Sequence, residues 1–235
     1  MDVVGDAVSR DRRSNATALR SDSGATDRSY DYRRFCTSAW KIGNFLRHHG
    51  IRSGDTVGIA DDPVPEPVLT LYGAALLGAQ VSFEPSRTQA DADALVVPVS
   101  ECTTYQPPPG AKLIAYGGDP EDPTMAYFER DVWSENPTAP PDIVDKGDVL
   151  LETEHTSYTH GAVLRAAKTV IDRLGLTDEA VVVDGSFTEP GIVAGGLIAP
   201  IVAGGSVVLT DDPTAADGEY TVGGPDGDID PSTLL

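Results

Sequence analysis

Thr56-Val57-Gly58-Ile59-Ala60, then Pro65 to Gly78, then Gln80-Val81-Ser82-Phe83: this stretch decides the fold. The outer segments are short and apolar, with the β-branched and aromatic residues that suit strands. The segment between them has proline early and glycine at its end, the asymmetry of a helix. Strand, helix and strand in that order lay two parallel strands beside each other with a helical crossover. The expected fold class is therefore α/β, a mostly parallel sheet flanked by helices.

Reading outward toward the N-terminus, Tyr32, Phe35, Cys36, Ala39, Ile42, Gly43 and Leu46 recur at three- and four-residue spacing. They predict a helix from Asp31 to His49, with Gly50 where a helix-ending glycine belongs. A short strand is expected over 16–20 and a polar turn from Ser21 to Asp27. Asp2 is positioned to cap a short helix over Val3 to Arg13. Toward the C-terminus, strands are expected over 94–99, 112–116, 148–153, 180–184 and 206–210. Helices are expected over 161–174 and 191–203, the second rich in glycine, and a short amphipathic stretch over 125–133. From Asp211 onward the chain holds 7 acids and no bases, which predicts an acidic, mobile tail over 211–235. Residues 1–210 then form the folded domain.

Composition narrows the function. The 235 residues carry 26 Asp and 11 Glu against 13 Arg and 4 Lys, a net charge of -20. Such self-repulsion strains a compact fold in dilute buffer but is screened at molar salt, where the Debye length is ~3 Å. Asp over Glu and Arg over Lys point to a halophilic cytoplasm. The charge is uneven, net +3 over residues 1–60 and -23 over 61–235. That distribution would repel phosphate backbones, so nucleic acid is not an expected partner. No apolar run reaches the ~18 residues a membrane span needs, and the N-terminus lacks a basic region followed by an apolar one. Neither membrane association nor secretion is expected. Two cysteines, Cys36 and Cys102, make no disulfide framework or metal knuckle.

Three stretches, in order, resemble the adenylate-forming superfamily, which includes acyl-CoA synthetases and AMP-binding ligases. The first runs from Tyr30-Asp31-Tyr32-Arg33-Arg34-Phe35 through Leu46, His49, Gly50, Ile51 and Arg52 to Gly54-Asp55-Thr56-Val57-Gly58-Ile59. The second is Glu66 to Gly78-Ala79. The third is Tyr158-Thr159-His160-Gly161-Ala162-Val163-Leu164, Ser186, and Gly195-Gly196-Leu197-Ile198-Ala199-Pro200 through Leu209. The resemblance implies the fold of an acyl-CoA synthetase N-terminal subdomain over residues 1–210. As an enzyme, such a chain would be an AMP-forming acid–thiol ligase using ATP with magnesium, and CoA.

The departures from the family pattern are at the chemistry. Between the strand Val149-Leu150-Leu151-Glu152-Thr153 and Tyr158-Thr159-His160, the family carries a Ser/Thr/Gly-rich loop ending in a Pro-Lys-Gly type element. Small residues let backbone N–H groups close around phosphates, and the lysine adds charge. Here only Glu154-His155-Thr156-Ser157 stands between them, without glycine or lysine. Glu152 and Glu154 would repel a triphosphate. Thr153, Thr156 and Ser157 are what remains of a nucleotide loop. Phe187-Thr188-Glu189-Pro190 replaces the family's aromatic/His element. The family's later adenine, ribose and magnesium motifs, and its catalytic lysine, have no counterpart in the sequence. No catalytic residue is therefore assigned.

Other constellations are weaker. Glu152, Glu154, His155 and His160 lack metal-ligand spacing, and a solvated strand end beside a helix-start histidine explains them more simply. No metal site is assigned. Ser157 and His160 have no G-x-S-x-G elbow or orienting acid. Thr159 reads as a helix N-cap. Gly191, Gly195 and Gly196 do not make a dinucleotide fingerprint and are expected to allow close helix–sheet packing. Cys36, Trp40 and Trp133 are expected in packing roles. The leading expectation is a degenerate acyl-CoA synthetase-like protein, non-catalytic alone, with a scaffold, partner-binding or small-ligand role and no cofactor. The alternative is half of a split AMP-forming acyl-CoA ligase, with ATP/Mg and CoA as cofactors and a homologous ligase or a C-terminal-domain protein as partner. A purely structural role is the third expectation. All three place the protein in the cytoplasm.

Overall fold

The central strand of the first sheet is covered on both faces. Ser206–Leu209 (β11) is buried at all four positions, and buried parallel strands read this way rather than alternating. The computed structural model describes residues 1–22, 28–87 and 91–235. β11 lies between Ala180–Asp184 (β10) and Thr17–Ser21 (β1) and is parallel to both. Tyr220–Gly223 (β12) extends the sheet beyond β10 in parallel, and Arg28–Asp31 (β2) closes the other edge antiparallel to β1.

The second sheet has seven strands, in the order Ala126–Tyr127 (β7), Lys112–Tyr116 (β6), Ala94–Pro98 (β5), Thr56–Ile59 (β3), Gln80–Phe83 (β4), Val149–Glu152 (β8) and Ser157–Thr159 (β9). All pairings are parallel except β8 with β9. The expected mostly parallel α/β arrangement is thus present, divided between two sheets.

Pro65–Ala75 (α2) explains how the sheets share one core. Every one of its eleven residues is buried, and a helix apolar all round belongs inside a molecule. It touches β1 of the first sheet and β3 and β4 of the second. Tyr32–His48 (α1) packs across it where two glycines meet. A Cβ on Gly73 would lie 2.6 Å from Ile42 Cγ2 and 3.1 Å from the Gly43 nitrogen, so neither helix tolerates a side chain at the crossing. The Asp31 carboxylate starts α1 by accepting from Arg34 N at 2.6 Å. Glu66, 4% exposed, is paired with Arg28 by two hydrogen bonds, which is what permits a carboxylate at that depth.

The C-terminal half adds Phe128–Trp133 (α3), His160–Leu174 (α4) and a glycine-rich helix of three parts. That helix comprises Pro190–Ile192 (α5), a π-helical stretch Val193–Ile198, and Ala199–Ala203 (α6). Pro200 has no N–H for the carbonyl four residues back, which accounts for the widened turn before it.

Several expectations change. The N-terminal helix is instead two 3₁₀ turns, Val4–Val8 and Arg10–Arg12, separated by extended Ser9. Asp6, not Asp2, does the capping, accepting from the nitrogens of Asp2 and Val3. The helix expected to reach Gly78 stops at Ala75. The 125–133 stretch divides into β7 and α3. Ser21 of the expected polar turn belongs to β1, and residues 23–27 lie outside the described residues. Trp40 is buried and donates to Val8 O at 2.8 Å, but Trp133 is 77% exposed, with Lys41 Nζ above its ring.

Within 211–235, β12 was not foreseen. It pairs with β10 in register from Val181↔Tyr220 to Asp184↔Gly223, and Val222 and Ile229 are buried. The glycines of the helix make room for it. A Cβ on Gly191 would lie 2.0 Å from Pro231 O, and one on Gly195 3.1 Å from Val222 Cγ1. The close packing expected of these glycines is therefore real, and part of it is against the last segment of the chain.

Candidate functional site

Parallel strands carry their carboxyl ends to one edge of a sheet, and in open α/β folds ligands bind outside that edge. Here β3, β4 and β8 of one sheet end beside β10 of the other. Two contacts tie the ends together. Asp61, just after β3, accepts from Ser186 Oγ at 2.5 Å and from Phe187 N at 2.9 Å. Phe187 then meets Phe83 edge to face, with ring centroids 5.4 Å apart and planes at 68°.

On one side of Phe187 lies a cavity of about 640 Å³. Its apolar wall is Val81, Phe83, Leu151 and Phe187, and its polar groups include Glu84, Glu152, Thr153, Glu154 and His155. On the other side is a smaller cavity of about 360 Å³, where Asp61, Asp184 and Asp211 supply the charge. Among the described residues, no lysine or arginine lines either one. Asp62 faces away, accepting from Tyr116 Oη at 2.9 Å. Burial pushes its carboxyl above the ordinary range despite that bond.

The segment 153–156 is a closed turn. Thr153 N donates to Thr156 O at 2.9 Å. The Thr153 hydroxyl donates to the same oxygen at 2.8 Å and accepts from Thr156 N at 3.0 Å. Thr153 N, Thr156 N and the Thr153 hydroxyl are thereby used within the turn, and β8 runs straight back as β9 with Glu152 opposite Ser157. Of the three residues read as a nucleotide-loop remnant, Thr153 lies on the cavity wall while Thr156 and Ser157 are off it and exposed.

His160 is remote from this chemistry. It is fully buried, its N donates to Asp148 O, and its Nδ1 accepts from Val4 N at 3.2 Å. Burial pushes its pKa down to about 4, with Asp148 and Asp6 opposing the shift. It therefore makes no pair with Ser157. Thr159 caps α4, accepting from Ala162 N at 3.2 Å. Among the described residues, no group of three or more His, Cys, Asp or Glu side chains is placed to hold a metal ion. Cys36 is a buried free thiol whose pKa burial pushes up to about 11.

The family model for the AMP-binding enzymes matches residues 7–139. The chain belongs to the AMP-binding enzyme family. A search of curated proteins returns no match. Among solved structures, this family member is similar to an anthranilate CoA ligase in complex with anthranoyl-AMP, with 21% identity and a TM-score of 0.75 over 91% of this chain. It is also similar to a benzoate CoA ligase from Burkholderia xenovorans (18%, 0.74, 89%) and to an acyl-CoA synthetase from Brucella canis (18%, 0.71, 88%). At these identities the likeness is one of fold. The AMP-binding family member spans 45%, 45% and 43% of those three chains. Among its described residues, no helix is long and apolar enough to cross a membrane.

Sequence reading reached the 153–157 segment and marked Phe187 at the family's aromatic/His element, but missed Asp61, Phe83 and Glu84 as site residues. Asp61 and Glu84 each stand just beyond a strand of the deciding β–α–β unit, so the carboxyl-end rule was the available signal. The contact between Phe187 and Phe83 had no such signal, because Phe83 is in one sheet and Phe187 follows a strand of the other.

Proposed function

We propose that this AMP-binding family chain does not adenylate an acid by itself and instead binds a small ligand in the cleft at its strand ends. The turn at 153–156 carries this reading. A phosphate-binding loop works by presenting unsatisfied N–H groups and a cation. Here Thr153 N, Thr156 N and the Thr153 hydroxyl are all used inside the turn. The cavity wall beside them has three glutamates and no cation. A triphosphate placed there would meet like charge with nothing to offset it. The cavity volume, about 640 Å³, lies within the range of small-molecule sites, roughly 300–1,000 Å³.

The test is thermal unfolding of the full chain in molar KCl with Mg-ATP, AMP, CoA and acyl-CoAs, alongside acid-dependent exchange of pyrophosphate into ATP. A ligand at ~100 times its dissociation constant stabilises a fold by about 2.7 kcal/mol, enough to detect. No shift with Mg-ATP and no exchange are expected. A saturable rise with Mg-ATP overturns the proposal.

A further inference from the structure

The larger cavity has two halves of different chemistry. Val81, Phe83, Leu151 and Phe187 form an apolar wall, with the two rings held edge to face at 5.4 Å. Glu84, Glu152 and Glu154 also line it, Glu152 half-buried and Glu154 exposed. Glu84 is partly neutralised, since Arg87 lies 3.5 Å from it and 2.7 Å from Glu101, and Arg87 itself is not part of the wall. Glu152 and Glu154 have no side-chain hydrogen bond or ion pair among the described residues. Charge left unpaired beside a concave aromatic surface complements a ligand that is apolar at one end and positive at the other.

We infer that the cavity takes a small organic ammonium ion, its aromatic or aliphatic body against Phe83 and Phe187 and its charged head toward Glu152 and Glu154. This rests on the proposed function, that the cleft holds a small ligand and not a nucleotide. It inverts the sign of the ligand that an anion-binding cleft would select. A carboxylate or phosphate entering here finds no lysine or arginine on the wall.

The test uses the full chain and three probes with the same aromatic body: 2-phenylethylammonium, the neutral 2-phenylethanol and the anionic 3-phenylpropanoate. Calorimetric titration near neutral pH should give saturable binding of the ammonium ion, at least ~10-fold tighter than the alcohol, since one close charge pair accounts for that much. The anion should not saturate. The double substitution Glu152→Gln and Glu154→Gln should bring the ammonium ion down to the affinity of the alcohol. It should leave the affinity for the alcohol unchanged and should not lower the unfolding midpoint, since it removes two like charges from a chain of net charge -20. Equal binding of ammonium and alcohol, tighter binding of the anion, or a preference that survives the double substitution overturns the inference. Mg-ATP titrated in the same way separates the two proposals. Saturable ATP binding overturns the proposed function and this inference with it. Failure of the ammonium probe without ATP binding overturns this inference alone.

Discussion

Lowering the pH from about 7.5 to about 5 should cost this protein about 2 kcal/mol through His160 alone. The ring is fully buried, Nδ1 already accepts from Val4 N, and Nε2 has no partner among the described residues. Protonation would set an Nδ1–H against the Val4 N–H, both donors, and would leave a charge in an apolar setting. The pKa is accordingly pushed down to about 4, chiefly by burial. The sign follows from linkage. Above about pH 6.5 the histidine is neutral in both states and contributes no pH dependence. Below that, the unfolded chain binds a proton that the folded one refuses. Stability then falls by about 1.4 kcal/mol per pH unit until the folded pKa is reached, a total of about 3 kcal/mol. Because the carboxylates of so acidic a chain also begin to titrate, the comparison must be with a variant. His160→Asn keeps an acceptor for Val4 N without a titrating ring. Urea unfolding of both proteins across this range should show the wild type losing about 2 kcal/mol more than the variant. Any packing cost of the substitution is present at every pH and cancels in the difference. Parallel curves would refute the reasoning.

Gly191→Ala should destabilise the fold by about 1–3 kcal/mol, because its methyl would stand 2.0 Å from Pro231 O. Amide exchange should quicken over residues 229–235, and unchanged protection there would show that the segment is not seated on the helix. Thr153→Ala removes a hydroxyl that both donates to Thr156 O and accepts from Thr156 N. It should cost about 1 kcal/mol in urea unfolding while creating no Mg-ATP binding; a gain of binding would mean the turn is a latent nucleotide loop. With a net charge of -20, raising KCl from ~0.1 M to ~2 M should raise the unfolding midpoint by screening self-repulsion. An unchanged or lower midpoint would show that surface charge does not limit stability.

The α/β class was legible because its signals are local. Apolar runs at 56–59 and 80–83 with a helix between them need no distant partner to be recognised, and Thr159 caps a helix through a residue only three positions away. The shortness of the 153–156 turn was equally visible, since four residues between two paired strands is a fact of spacing. Local signals failed where polarity misleads. Residues 211–235, acidic and rich in glycine, still supply β12, because Tyr220 to Gly223 pair with the edge of the sheet at β10. Trp133, taken as a packing residue from its type, lies on the surface. The amino-acid order alone thus determined the β–α–β unit, the charge and the shortness of the 153–156 turn. Only the tertiary structure decided that Asp61 meets Ser186 from 125 residues away, that Phe187 closes on Phe83, and that unpaired glutamates share a cavity with those rings. Such meetings are set by how two sheets pack about a buried helix, and periodicity within one element carries no information about which distant element it will face.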